Sequence, residues 1–340
     1  MDQSEAVSAE GEPAEGELRP RAMDNFRRWV AIAVALATLG YLAYAVWRGW
    51  TQTATELGRF AWPLYVPVLL LTLVNYGLRY LKWHYLLGLL GIHVPHRVNL
   101  GIFATGLAMV ISPAKAGEVV KPWLVNQVTG APITRTLPAL IAERGTDGIA
   151  VIALAAVRVT TYFADATWLI YGPTAAIALL LVGLSIRPLV KAVLDLVRRL
   201  PVVGRLADRL EEAYEATRVC VAPGPLAVTM ALSLVAWWAE CVGYWLVFVG
   251  MDVEAGLDVS TFLYAFATVF GAPSPGGMGM ADAALAEGAI HALPHITAPQ
   301  ALAAALLIRV ATLWFGVLLG AAALLRMEAI IAEGQRDRML

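Results

Sequence analysis

The chain has 340 residues, of which 59% are hydrophobic and 15% charged, with a formal net charge of −1 and a mean hydropathy of +0.67. This composition, arranged in apolar runs of about membrane length, excludes a soluble globular protein and indicates an integral helical membrane protein. No stretch outside those runs is long and apolar enough to build a separate soluble catalytic domain.

Residues 1–24 are expected as a disordered acidic tail, since the first 17 hold six acids and no base. Residues 25–330 form a single transmembrane domain and 331–340 a cytoplasmic tail. Arg27 and Arg28 precede an uncharged first span from Trp29 to Trp47, retained rather than cleaved, with its N-terminus inside. A second span, 61–81, returns to a cytoplasmic edge where Arg79, Lys82 and Arg97 collect, with Tyr80, Trp83, His84 and Tyr85 as a headgroup-level belt. A broken segment, 98–134, follows and returns to the same side at Lys121 and Arg135. Spans at 136–157 and 167–186 lead to an amphipathic cytoplasmic stretch, 187–221, in which residues 187–218 carry seven Lys/Arg and five acids. A fifth span, 225–249, reaches an acidic outer loop. A second broken segment, 260–295, enters and leaves there, and a last span, 301–325, ends among Arg326, Arg336 and Arg338 inside. The fold class is therefore an all-α polytopic membrane protein with about six full spans and two re-entrant helical hairpins. Because the charge count brings the hairpins in from opposite sides, they form an inverted-topology repeat.

The two broken segments resemble one another. Phe103-Ala104-Thr105 leads to Ser112-Pro113, with Gly117 and Glu118 beyond; Phe266-Ala267-Thr268 leads to Ser274-Pro275, with Gly276, Gly277, Gly279 and Asp282 beyond. Each Ser-Pro pair suits a helix start, with Ser as N-cap and Pro at the first helical position, which would present N–H groups and a positive dipole end. Paired interruptions of this kind point to a transporter's binding site.

A charge at the bilayer centre costs about 2.5–3.5 kcal/mol on insertion scales, so several together require a cause. Glu143, Arg144 and Asp147 lie mid-span, Lys115 and Glu118 flank Gly117 at the first break, Asp282 and Glu287 follow the second, and Arg79, Glu240 and Arg309 complete the set. Arg144 and Asp147 at i,i+3 can pair, whereas Glu143 needs another partner. Charge pairs acting as interhelical glue account for any one of these residues as well as function does. As a set, Arg144, Arg309 and Lys115 with the two helix starts would make an electropositive centre suited to phosphate or carboxylate. Glu118, Glu143, Asp147 and Asp282 would position those bases, and one of them could carry a coupling proton. Neither metal-ligand spacing nor a disulfide framework is indicated, because Cys220 and Cys241 are the only thiols and the five histidines fall near interfaces.

The order Ser-Pro-x-x-x-Gly-Glu (112–118), Glu-Arg-x-x-Asp (143–147), Ser-Pro-Gly-Gly-x-Gly (274–279) with Asp282, and Arg309 with Trp314 resembles the lysylphosphatidylglycerol synthase transmembrane family, over roughly residues 25–330. The resemblance implies two re-entrant helices meeting in a bundle, and movement of lipid between leaflets. It carries over to Ser112, Pro113, Gly117, Glu118, Glu143, Arg144, Asp147, Pro275, Gly276, Gly277, Gly279 and Arg309. Asp282 replaces the family's usual Glu and Lys115 a frequent Arg, which leaves room for a different headgroup. The soluble aminoacyl-transfer domain is missing, so lysyl transfer is not expected.

The expected function is a flippase for an anionic-headgroup lipid, either a phospholipid or a polyprenyl-phosphate-linked glycolipid, with substrate-binding residues Ser112, Lys115, Gly117, Glu118, Glu143, Arg144, Asp147, Ser274, Gly276, Gly277, Gly279, Asp282 and Arg309. No cofactor, metal or nucleic acid is expected. A homo-oligomer or a glycolipid-pathway enzyme is a conceivable partner, and the bacterial inner membrane the expected location. The alternatives are a membrane-embedded lipid-modifying transferase and a non-catalytic partner of glycolipid enzymes.

Overall fold

The computed structural model describes residues 50–112, 117–158 and 204–327, together with isolated positions between and beyond them. The acidic tail, the first and fourth expected spans, Lys115 and the first part of the amphipathic stretch lie outside the described residues.

Every described element is helical. In order they are α1 (Trp50–Arg59), α2 (Tyr65–Leu89), α3 (His96–Ala108), α4 (Val120–Thr129), α5 (Ile133–Ala156), α6 (Gly204–Cys220), α7 (Pro223–Gly250), α8 (Leu257–Phe270), α9 (Met280–Ala292), α10 (Ala298–Arg309) and α11 (Phe315–Leu325). Local chemistry sets several boundaries. Gly130, at φ 75°, ends α4, and Pro132 then precedes the start of α5. Pro223 occupies the first turn of α7. Thr297 and Gln300 cap α10 reciprocally, side chain to backbone in both directions. Between α10 and α11 the helix widens into one π-turn, Val310–Trp314.

Among the described residues, three helical stretches are long and apolar enough to cross a membrane: Trp62–Leu89, Pro223–Gly250 and Ala298–Leu325. Residues His96–Ile111 and Leu257–Phe270 are apolar but shorter. Helix α5 has the length to span, at 24 residues, but Glu143, Arg144 and Asp147 interrupt its apolar character. The outer faces of the long helices carry exposed Val66, Leu70, Leu73, Val74, Val235, Trp238 and Leu318. A chain of this size seldom presents so many outward apolar side chains to water, whereas lipid accepts them.

Inside, α2 lies along α7, α3 against α11, and α5 touches α4, α6, α7 and α8. One core gathers Tyr244, Phe248, Phe262, Leu263 and Ile308, and another Trp83, Leu86, Leu87, Ile102 and Leu124. A third, smaller cluster of Ile111, Leu313 and Val317 sits where the two chain breaks meet. There the single 3-10 turn Met109–Ile111 contacts its counterpart Pro275–Gly277.

Two sequence expectations are corrected here. The second span does not end near Leu81: α2 continues to Leu89, with Lys82 and Trp83 fully buried and Arg79 nearly so. Trp83 is therefore no headgroup anchor; its Nε1 donates to Asn99 Oδ1 at 2.9 Å in the core. Lys121, taken as a cytoplasmic marker, is likewise buried at 2% exposure. Both lysines have carboxylate partners inside the bundle, which is why they are drawn inwards rather than to the headgroups.

Candidate functional site

Both breaks are built in the same way. Ser112 Oγ donates to Met109 O at 2.7 Å and Ser274 Oγ to Gly271 O at 3.0 Å, so each serine closes the turn three residues behind it. Thr105 and Thr268 each bond back to the carbonyl four residues earlier. The expectation that Ser-Pro begins an α-helix is corrected for the second break; in the first, residues 113–116 lie outside the described residues. Ser274 precedes only the 3-10 turn, and α9 starts at Met280; Ser112 ends the turn Met109–Ile111, and α4 starts at Val120. The Ser274 hydroxyl serves the preceding turn, whereas the Ser112 hydroxyl serves both sides, donating back to Met109 O and accepting from Gly117 N.

Glycines make the second break possible. Gly276, Gly277 and Gly279 all have positive φ, at 59°, 75° and 76°, a run that side-chain-bearing residues adopt only with strain. The chain thereby turns tightly enough for Gly276 O to accept from Arg309 Nη2 at 2.6 Å. In the first break the constraint is space. Gly117 N donates to Ser112 Oγ at 2.7 Å, and a Cβ on Gly117 would lie 2.9 Å from that oxygen.

Each break then offers one acid to an arginine of the next long helical element. Glu118 Oε2 lies 3.0 Å from Arg144 Nε in α5, and Asp282 Oδ1 accepts from Arg309 Nε at 2.8 Å in α10. Asp282 Oδ2 also accepts from Gly279 N at 2.8 Å, so the start of α9 is already occupied by a resident carboxylate. It does not present an open anion site.

Around the first pair a larger network has formed. Glu143, fully buried, takes Lys121 Nζ at 2.6 Å and Arg144 Nη2 at 2.5 Å. Asp147 pairs with Lys82, lies 3.5 Å from Arg79 Nε and is 3.7 Å from Arg144 Nη1. Lys82 Nζ also donates to Ser233 Oγ at 2.7 Å and to Glu143 O at 3.1 Å. The partner that Glu143 was expected to need is thus Lys121, and the Arg144–Asp147 contact is the loosest in the network.

A cavity of about 90 Å³ opens between the two breaks. Three guanidinium groups line it, those of Arg79, Arg144 and Arg309, together with Glu240, Tyr76 and Tyr264. Gly276 and Gly277 form part of its wall, whereas Glu143 and Asp147 stand behind the arginines. Arg144 is the most open of the three, its side chain 24% exposed against 8% for Arg79 and 11% for Arg309. The Arg79 guanidinium sits 5.7 Å from the Trp237 ring centroid, and the Trp237 Nε1–H and Arg79 Nε–H are buried without a hydrogen-bond acceptor. Among the described residues no cluster of His, Cys, Asp and Glu could hold a metal ion.

Lys82 and Lys121 were absent from the expected site, and Arg79 was only an outlying member of its charges. The signal that could have found α2's contribution is a stripe of Thr72, Asn75, Arg79 and Lys82 at alternating three- and four-residue spacing, every one buried.

A multi-helix membrane protein with a guanidinium-lined internal cavity between two interrupted segments is the class these features define. The family model described as the lysylphosphatidylglycerol synthase TM region matches residues 28–320, and the chain belongs to this family. It is also similar to a UPF0104 membrane protein of Methanothermobacter thermautotrophicus, with 25% identity over 88% of this chain and 93% of that protein.

Proposed function

We propose that the protein is a lipid translocase that moves an amphiphile with an anionic headgroup, a phospholipid or a polyprenyl-phosphate-linked glycolipid, between leaflets. The observation that carries this reading is the convergence of Arg79, Arg144 and Arg309 on one cavity bounded by both breaks. Guanidinium groups grip phosphate oxygens with paired N–H donors, and the surrounding carboxylates fix their positions. A headgroup in this polar space avoids most of the desolvation cost of an unassisted flip while its chains stay in hydrocarbon.

The matching turns at Ser112 and Ser274 support treating the broken segments as re-entrant hairpins of an inverted repeat that rocks to open alternately. In this reading both termini face the cytoplasm, and the protein resides in a bacterial inner membrane. The site acts by holding and releasing; it forms no covalent intermediate. The test is translocation of fluorescent phosphatidylglycerol in phosphatidylcholine proteoliposomes. Wild type exposes the label to an external quencher faster than empty vesicles, and Arg309→Ala and Arg144→Ala return the rate to background while remaining monodisperse. If mass spectrometry finds the lipid chemically altered, the protein is a transferase instead.

A further inference from the structure

Every acid of the two break networks is tied to a cation: Glu118 to Arg144, Glu143 to Lys121, Asp147 to Lys82, and Asp282 to Arg309. Glu240 on α7 differs. It is 4% exposed and lines the cavity, yet among the described residues its hydrogen-bond partner is a neutral hydroxyl, Tyr264 Oη, which donates to Oε2 at 2.6 Å.

We infer that Glu240 is a proton-binding site of the cavity, taking up one proton as an anionic lipid headgroup enters and releasing it as the headgroup leaves. Protonating any of the other four acids would break a buried ion pair, which is costly. Protonating Glu240 breaks none. Its Oε1 can take the proton while Oε2 keeps the Tyr264 bond: one O–H bond forms on Oε1 as one breaks in a hydronium ion supplied by bulk solvent, leaving neutral water.

The groups around Glu240 favour this coupling. Tyr76 and Arg79 face the cavity from α2, Arg144 from α5, Tyr264 from α8 and Arg309 from α10. Asp147 stands behind Arg79, and Lys82, also on α2, is engaged with Asp147 and Ser233. The carboxylates Glu118, Glu143, Asp147 and Asp282 already occupy part of the guanidinium charge. A phosphate placed among the three arginines would sit in the same low-dielectric space as an ionised Glu240. Like charges at such range repel strongly, and one proton on Glu240 removes that repulsion. Anion and proton should therefore bind together. This inference rests on the proposed lipid-anion site and adds to it the group that changes charge.

Two measurements test it. In proteoliposomes with fluorescent phosphatidylglycerol at limiting concentration, wild-type translocation should rise as pH falls, approaching about tenfold per pH unit where one proton is taken up with the anion. Glu240→Gln, which keeps the shape and a hydrogen-bond acceptor for Tyr264, should give a flat profile. A wild-type rate independent of pH, or a Gln variant that keeps the wild-type profile, overturns the proposal. The second readout needs no transport: infrared difference spectra of the protein in phosphatidylcholine nanodiscs, with and without phosphatidylglycerol. A protonated-carboxyl band that grows on lipid addition in wild type and not in Glu240→Gln supports proton uptake even if no lipid changes leaflet, in which case only the translocation reading falls. Absence of the band in wild type overturns the uptake itself.

Discussion

The first and second breaks share their turns and their acid-to-arginine pair, but they are held by different means. Glu118 and Arg144 sit inside a net that also includes Arg79, Lys82, Lys121, Glu143 and Asp147. Asp282 and Arg309 form a single pair beside three positive-φ glycines. One break is thus fixed by crossed charges from several helices, the other by backbone shape and one ion pair. The contrast teaches that two breaks with the same turns can be fixed by different means, one by a charge network drawn from several helices and the other by backbone shape with one ion pair.

Removing Asp147 should have the largest effect. Asp147→Ala strands the fully buried Lys82 and withdraws Arg79's carboxylate, and breaking such a buried pair costs about 3–5 kcal/mol. The variant is expected to lose its monodisperse peak in size-exclusion chromatography. On the simpler side, Arg309→Met leaves Asp282 still bonded to Gly279 N, so the stability loss should be smaller. Adding Asp282→Asn should recover much of the lost melting temperature, because both charges are then gone, but translocation should stay at background. If instead the Arg309 variant unfolds as readily as the Asp147 variant, the contrast between the two breaks disappears.

Gly277→Ala, at φ 75°, should lower stability by about 1–2 kcal/mol through backbone strain, read as a downward shift in thermal unfolding. Thr268→Val removes only a back-bond to Tyr264 O within its own helix and should change stability by no more than about 0.5 kcal/mol. Equal shifts for these two variants would mean that the glycine run is not what shapes the second break.

Much of this arrangement was legible in the sequence, for a physical reason. Ser, Pro and Gly interrupting an apolar run mark a break, and acids and arginines inside spans are rare enough to mark a centre. The errors came from bases near span ends. Lys82 follows an apolar run and is flanked by aromatics, the same local pattern as a headgroup anchor; only its partner Asp147, 65 residues away, shows that it belongs inside. Lys121 was misplaced for the same reason, its partner Glu143 being 22 residues distant. Buried lysines carry no information on sidedness, so the expected inversion of the two hairpins rests on the remaining loop bases. Glu240 stands out in the sequence as an acid within a span, but that no cation pairs with it among the described residues depends on which helices surround it.

The wide turn at Val310–Trp314 has a consequence for how the last helix is aimed. Each residue advances a regular helix by about 100°, so the additional residue held in a π-turn resets the angular phase between Arg309 and everything after it. Downstream, the Tyr76 hydroxyl, which donates to Thr312 O, fills the space a Cβ on Gly316 would need, and Gly320 lies against the Ala104–Ala108 backbone, contacts that tolerate no side chain. A single-residue deletion within 310–314 would restore a regular helix and oblige it to choose, seating either the glycines or the guanidinium but not both.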